Sequence, residues 1–450
     1  MIQNVRHLLW TRRFLPIFVT QLLGAFNDNL FRTALVMLVI YGIYRSAEQE
    51  ATFSAIAGGL FILPFFLLSA LAGQLADATD KARIVRWVKT AEIVIMVFGA
   101  AGLLLQSVPL MLAALFAMGA HSTFFGPIKY AILPQHLEPD EVLGGTGLVE
   151  AGFYVALLGG TILGGLLVIQ DPDGRTHAEW AALGVLLVAL VGRLAAQFVP
   201  PAPPSSDRGG APNDPDLPPA ETKVDWHIVR ASVRLVRATM HVPQLFVAIM
   251  AISFFWAIGA VLAAQFPPLV KNVFGGDQSV ATLFLAVFSI GVAAGAVIIN
   301  RLLQGEVSAR FAPLSALLMG ACVFLLYLAA EGWTAYPRLV GVSIFLSEPS
   351  GWPVMLALFG VATFGGMFVV PLYAFLTTTV PKSETARTVA ANNIVNSGAM
   401  VGATAILFVA VQAGVSVEKT LLLAALGTVV AAWLALKLDR ACRKAVPRAG

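Results

Sequence analysis

Asn27, Asp28, Asn29 and Arg32 fall within "GAFNDNLFR", in the middle of a run from Phe14 to Tyr44 that is otherwise almost wholly apolar. In hydrocarbon such groups cost on the order of several kcal/mol unless they find partners or line a wet cavity. Asp28 and Arg32 are four residues apart. On a helix they share a face, with the acid on the N-terminal side, as an internal pair requires. Lys129, Tyr130 and Glu150 sit in later apolar runs, as do Gln21, Gln265, Asn392, Asn393 and Asn396. Charge of both signs suits a zwitterionic ligand. Arg32 or Lys129 could hold a phosphate, and Asp28 or Glu150 an ammonium. Asp28 could instead carry a coupling proton. A structural network that sets helix register is the competing explanation for the whole set. His121 reads as a packing histidine and Glu92 as a brace for a nearby loop. Phe26, Phe31, Phe124, Phe125, Phe153 and Phe266 could line an apolar slot beside the charges, or simply pack and face lipid.

The elements that must position these residues follow from composition. Of 450 residues, 58% are hydrophobic and 12% charged, with a mean hydropathy of +0.82. Soluble domains average about 25% charged residues, so the chain reads as an all-α polytopic membrane protein. The net charge of +4 is spread through connections rather than gathered on a soluble basic face, which argues against nucleic-acid binding. Cys322 and Cys442 show no metal spacing. With no nucleophile–base pair, metal cluster or phosphate loop in view, neither an enzyme nor a cofactor is expected. Arg6, Arg12 and Arg13 precede a run too long for the core of a cleaved signal peptide.

A membrane-crossing helix needs about 20 apolar residues. Such runs lie near 14–44, 52–76, 84–106, 108–132, 142–169 and 179–199, then near 243–271, 278–302, 311–330, 352–380, 386–412 and 419–437. This gives twelve transmembrane helices in two six-helix pseudo-repeats, 1–199 and 241–450. Between them, 200–240 opens with a Pro-rich, charged linker. It continues as "VDWHIVRASVRLVRATM", where Val229, Val233, Val236 and Met240 could share one helical face and Arg230, Arg234 and Arg237 another. That pattern fits a helix lying on the membrane surface. With both termini placed in the cytoplasm, only Arg45, Arg175, Lys271, Arg338 and Lys419 fall on the opposite side. Arg32 and Lys129 lie within spans, and the rest of the 29 Lys and Arg are cytoplasmic, as the positive-inside rule requires. The basic tail "KLDRACRKAVPRAG" could then lie against anionic membrane lipid.

The halves echo one another. "GLVEAG" (147–152) and "NIVNSG" (393–398) take matching places, as do "PIKYAILPQHLEPDE" (127–141) and "PLYAFLTTTVPKSE" (371–384). A six-plus-six repeat is the organisation of a rocking secondary transporter. The loop "GQLADATDKAR" (73–83) keeps Gly73, Asp77, Lys81 and Arg83 of the G-x-x-x-D-(R/K)-x-G-(R/K) loop of the major facilitator superfamily, with Ala78 and Asp80 departing from it. Asp77 could accept bonds from a neighbouring helix N-terminus and latch one conformational state.

"TQLLGAFNDNLFRTAL" (20–35), "FFGPIKYAILPQHL" (124–137) and "GTGLVEAGFYVALLGGTILGG" (145–165) resemble the lysophospholipid transporter family, a bacterial inner-membrane branch of that superfamily. The resemblance covers about 1–200 and 240–437. It implies a major facilitator fold and movement of lysophosphatidylethanolamine and related lysolipids to the inner leaflet. It also implies a lysophospholipid acyltransferase as a partner that consumes them, a monomeric state, and Asp28 and Lys129 as headgroup contacts. Gln265 stands where some members carry a basic residue. A proton-coupled exporter of amphipathic drugs or another small metabolite is the alternative on the same scaffold, and a non-transporting membrane scaffold a third.

Overall fold

The structure, a computed structural model, describes residues 7–138, 141–169, 177–203, 225–304, 307–334, 336, 338–380 and 382–445. The spans predicted before the linker form α1 (Leu15–Met37), α2 (Ala47–Ala78), α3 (Lys81–Leu104), α4 (Val108–Phe125), α5 (Val142–Leu166) and α6 (Ala178–Gln197). A surface helix follows, α7 (Ile228–Met240). The later spans form α8 (Pro243–Asn272), α9 (Gln278–Leu303), α10 (Ala312–Glu331), α11 (Gly351–Thr378), α12 (Lys382–Gln412) and α13 (Val417–Ala445). Among the described residues 11 helices are long and apolar enough to cross a membrane. α5, whose described apolar stretch is Ala151–Leu166, takes the place of the remaining predicted span. Helices satisfy their own backbone groups, which hydrocarbon demands. Proline occupies the first turn of α1, α4, α8 and α10, where its missing N–H leaves no bond unmade.

Two departures from regular helix matter for the site. α1 does not stop at Met37 but widens into a π-helical turn, Leu38–Ile43. α4 ends at Phe125, so Lys129 falls in a separate short helix, Ile128–Ala131, rather than inside the fourth span as the hydropathy run implied. Gly126 and Pro127 separate the two pieces, and proline cannot continue the donor ladder.

The chain forms two compact units. One comprises Met1–Leu38 and Leu67–Val233, the other Val39–Phe66 and Arg234–Gly450. The six-plus-six repeat is a statement about chain order, whereas packing groups residues 39–66 with the later helices. In the first unit α1 packs chiefly on α5 and α6, and α3 on α4 and α6. In the second, α9 packs on α11, α10 on α11 and α13, and α8 on α12 and α13.

Apolar burial gives helices in lipid little reason to associate, so close van der Waals approach has to supply it. Gly160 and Gly164 on α5 provide that approach. A Cβ added at Gly164 would lie 2.5 Å from the Leu30 carbonyl oxygen, and one at Gly160 would meet the Phe26 carbonyl. In the second unit Gly366 on α11 and Gly295 on α9 meet the partner helix backbone in the same way.

α7 forms as the sequence predicts, with one difference. Ala231 and Thr239 are its buried positions, while Val229 and Val233 stand exposed beside Arg230, Arg234 and Arg237. The exposed face is therefore mixed, apolar and basic together, which is the composition of a helix that meets a lipid headgroup layer.

Gly164→Leu is expected to separate α1 from α5. Overpacking of this kind costs about 1–3 kcal/mol or more. Thermal unfolding of the detergent-solubilised variant should start at a clearly lower temperature, whereas Gly402→Leu, with open space around its α-carbon, should not move it.

Candidate functional site

The Asp28 carboxylate acts on the Arg32 guanidinium, as their spacing suggested, and each also has a neutral hydrogen-bond partner. Arg32 Nη2 donates to Asn29 Oδ1 at 2.9 Å, and Asn29 Nδ2 donates to the Ala25 carbonyl at 2.8 Å. Asp28 Oδ2 accepts the Ser122 hydroxyl of α4, while Asp28 Oδ1 is buried with no hydrogen-bond partner among the described residues. Asn27 turns the other way and donates to Glu92 Oε1 at 2.8 Å.

Glu92 is the centre of this cluster, and the reading of it as a loop brace is corrected. It is fully buried on α3 and pairs with Lys89, one turn earlier and 1% exposed. His121 Nε2 of α4 lies 3.3 Å from Glu92 Oε2, and its Nδ1 lies 3.3 Å from the Ser122 hydroxyl. His121 is therefore part of a polar chain and not a packing residue in an apolar setting. The chain runs Lys89, Glu92, His121, Ser122, Asp28 across α3, α4 and α1. It ends at Asp28, which has an acceptor oxygen to spare.

Lys129 sits lower on the same unit. Its carbonyl accepts from Gln21 Nε2 at 3.1 Å, about two turns before Asp28 along α1. Its ammonium lies over the Phe153 ring of α5, 4.5 Å from the centroid, an arrangement that stabilises a partly desolvated cation. The side chains of Tyr130, Glu150 and Asp77 lie outside the described residues.

In the second unit the amides gather around one phenol. Tyr373 Oη on α11 accepts from Trp256 Nε1 at 2.8 Å, from Asn396 Nδ2 at 3.2 Å and from Asn392 Nδ2 at 3.4 Å. Ser253 donates to Asn396 Oδ1 at 2.7 Å. Asn393 points away and is exposed, one residue out of phase with this face. Gln265 is fully buried, and both its amide atoms are without a hydrogen-bond partner among the described residues.

The aromatic residues divide. Phe31 is sealed against Gly99 of α3, and Phe266 is sealed with its ring centroid 6.0 Å from that of Phe284 and 5.6 Å from that of Phe288. Both are packing residues here and are removed from the expected slot. Phe26 lies against Gly159 of α5. Phe124 and Phe125 flank the apolar cluster at the start of α1, and Phe125 lines a small cleft there with Gln21 and Ile132.

A chain of membrane-length helices with a charged cluster at mid-span is shared by many carriers, and comparison with known proteins separates them. The model of the Major Facilitator Superfamily matches residues 17–404. The chain belongs to that superfamily.

Among facilitators of known structure, the fold resembles a peptide transporter of the POT family, PepTSo, with a TM-score of 0.71 at 14% identity, over 97% of this chain and 99% of that one. It also resembles a bacterial homologue of the lysosomal transporter Spinster, with a TM-score of 0.66 at 15% identity, over 97% and 98%. By sequence, the chain is 26% identical over 378 residues to a protein of Cronobacter sakazakii named lysophospholipid transporter LplT, covering 82% of this chain and 81% of that one. A protein of the same name from Escherichia coli O157:H7 is 25% identical over 417 residues, covering 91% of each.

The expected loop 73–83 is mostly helical: Gly73 lies within α2 with open space around it, and the buried Lys81 and exposed Arg83 lie in the first turn of α3. Asp80, which replaces the glycine of the family pattern, takes a capping role. Its Oδ1 accepts from Ala82 N at 2.9 Å and from Ala202 N at 3.0 Å, so it starts α3 and holds the chain just after α6. Lys89 and Ser122 escaped the sequence reading. A Lys and a Glu three residues apart inside an apolar run were the available signal for the first. Nothing in the sequence marked the second.

Lys89→Met is expected to leave Glu92 buried without its cation, a loss of about 3–5 kcal/mol. Removing both charges, in Lys89→Met/Glu92→Gln, should recover most of it. Denaturation of the purified proteins in mixed micelles measures both.

Proposed function

We propose that this facilitator is a lysophospholipid transporter of a bacterial inner membrane. It moves lysophosphatidylethanolamine and related lysolipids to the inner leaflet by alternating access. The observation that carries the reading is the buried Asp28 carboxylate. One oxygen is held by Ser122, and the other has no hydrogen-bond partner among the described residues. In a membrane-crossing segment such an oxygen is a ready acceptor for a cationic group that arrives from outside the protein. An ethanolamine ammonium is one. The relatives named lysophospholipid transporter support the same choice.

In this reading Arg32 and Lys129 serve the phosphate, and Tyr130 and Glu150 stand near the headgroup path. The neutral polar groups of the second unit, taken by itself, include Asn392, Asn396 and Gln265, whose amide has no hydrogen-bond partner among the described residues. The acyl chain lies along Phe26, Phe125 and Phe153. Gly73, Asp77, Lys81 and Arg83 flank the short α2–α3 connection, which alternates with the transport cycle. Both termini face the cytoplasm, the protein acts as a monomer, and an acyltransferase on that side consumes the product.

Asp28→Asn keeps the size and one acceptor but removes the charge. Leaflet-resolved uptake of lysophosphatidylethanolamine into proteoliposomes should fall by about ten-fold or more, the weight of a charge-assisted bond, with the elution profile of the purified protein unchanged. Uptake at the wild-type rate would overturn the assignment. Running the assay with and without a pH gradient separates downhill flipping from proton-driven transport.

A further inference from the structure

We propose that the extended stretch after α6, residues 199–203, is a strap that positions Lys129, so that chain remote in sequence from the headgroup contact sets where its ammonium stands. The role of the strap rests on the reading of Lys129 as a headgroup contact. All the residues concerned belong to the first compact unit.

Lys129 stands on a segment that cannot hold its own shape. α4 ends at Phe125, and two single turns of helix follow it, Ile128–Ala131 and Leu133–His136. Isolated helices shorter than about 12 residues are marginal even with good helix formers. Pro127 and Pro134 also withhold two backbone donors. The place of Lys129 is therefore imposed from outside the segment. Ile128, Ile132, Leu133 and Leu137 provide an apolar seat, buried in one cluster with Val199 and Ala202. From α1 and the residues just before it, Gln21 donates to the Lys129 carbonyl at 3.1 Å, and Arg13 reaches Glu141 at 2.7 Å and the His136 carbonyl at 3.4 Å.

A second set of contacts comes from the strap. His136 Nε2 donates to the Pro201 carbonyl at 3.1 Å, and Gln135 Nε2 to that of Pro203 at 3.3 Å. The strap is in turn fastened to α3. Arg86 Nη2 donates to the Val199 carbonyl at 2.9 Å. The Lys81 N–H donates to the Ala202 carbonyl at 2.9 Å, and the Ala202 N–H to Asp80 Oδ1 at 3.0 Å. The carbonyls of Val199, Pro201, Ala202 and Pro203 thus each accept a bond from α3 or from the segment that carries Lys129.

The residues of the strap suit this use. Positions 200–203 read Pro-Pro-Ala-Pro. Proline fixes φ at about −65° and favours extended backbone, so the stretch gives up little freedom when it docks. It carries one backbone N–H, that of Ala202, and Asp80 takes it. Without the strap the Leu133–His136 turn loses the partners of two side chains, and the segment is held from the α1 side alone. A cation on a mobile segment has to be ordered as the ligand binds, and that ordering is subtracted from affinity. The Lys129 ammonium, 4.5 Å from the centre of the Phe153 ring, would leave that ring as the segment moved.

Amine reactivity reads the position of Lys129 without reference to transport. The protein is placed in nanodiscs of phosphatidylcholine, which has no primary amine, and methylated with formaldehyde and a borane reductant. Mass spectrometry gives the rate at Lys129 relative to Lys437. Pro200→Gly/Pro201→Gly/Pro203→Gly keeps the length of the strap and removes its stiffness. Methylation of Lys129 should be about five-fold faster or more in that variant, since each exchange favours the undocked chain. His136→Leu, which removes one strap bond, should give a smaller acceleration, and His136→Gln, which keeps a donor, should return the rate towards wild type. This pair provides the reading if the triple variant does not fold. In the uptake assay the triple variant should raise KM for lysophosphatidylethanolamine by about five-fold with kcat little changed, and should add nothing in a Lys129→Met background, where the residue it acts through is gone. A wild-type methylation rate in the folded variants overturns the strap, and so does an equal rise in KM in the Lys129→Met background. Faster methylation together with wild-type uptake by Lys129→Met would keep the strap as the element that places Lys129 and remove the reading of Lys129 as a headgroup contact.

Discussion

Charge buried in a membrane protein must be answered by another group, and the Glu92 carboxylate is where this protein meets that demand. Two donors reach it, Lys89 from its own helix and Asn27 from α1, and the His121 ring of α4 lies 3.3 Å away. The relative rotation of α1, α3 and α4 follows. If α1 turned by one residue, Asn27 would leave Glu92 and Asp28 would leave Ser122. The cluster therefore sets helix register, and in doing so it presents Asp28 with one oxygen engaged and one spare. Structural and functional explanations for polar residues in the first span are not alternatives here. The network that fixes the helices also aims the carboxylate.

The packing surfaces support this by bringing backbones close. Gly160 and Gly164 let α5 approach α1 until carbonyls and α-carbons touch, so the axis of α1 is determined by contact rather than by apolar burial, which lipid makes nearly neutral. The second unit uses the same device at Gly295 and Gly366, and its polar groups are handled differently. Trp256, Asn392 and Asn396 donate to Tyr373, and Ser253 donates to Asn396, all without formal charge. This cluster of the second unit is neutral, whereas the Glu92 cluster of the first is ionic.

Much of this was legible in the residues themselves. Hydropathy located the spans, since a run of about 20 apolar residues has few other uses. Asp28 stood out because an acid in such a run has to be accounted for. The partners were not legible. Spacing related Asp28 to Arg32, but it did not show that Asn29 also bonds the guanidinium or that a serine 94 residues later bonds the acid. Local spacing reports which side chains share a helix face, but not which neighbouring helix that face meets.

The sequence alone therefore determined the class of the fold, the approximate places of the spans, the amphipathic character of α7 and the existence of a polar set inside the membrane. These depend on composition and period along the chain. Only the tertiary structure decided that Glu92 is a hub and not a loop brace, that Phe31 and Phe266 are core, that Asn393 faces outward, and that Asp80 caps α3. Each of these depends on the relative rotation of helices far apart in the chain. That rotation is set by glycine contacts and buried hydrogen bonds summed over several helices, and no short stretch of residues carries it.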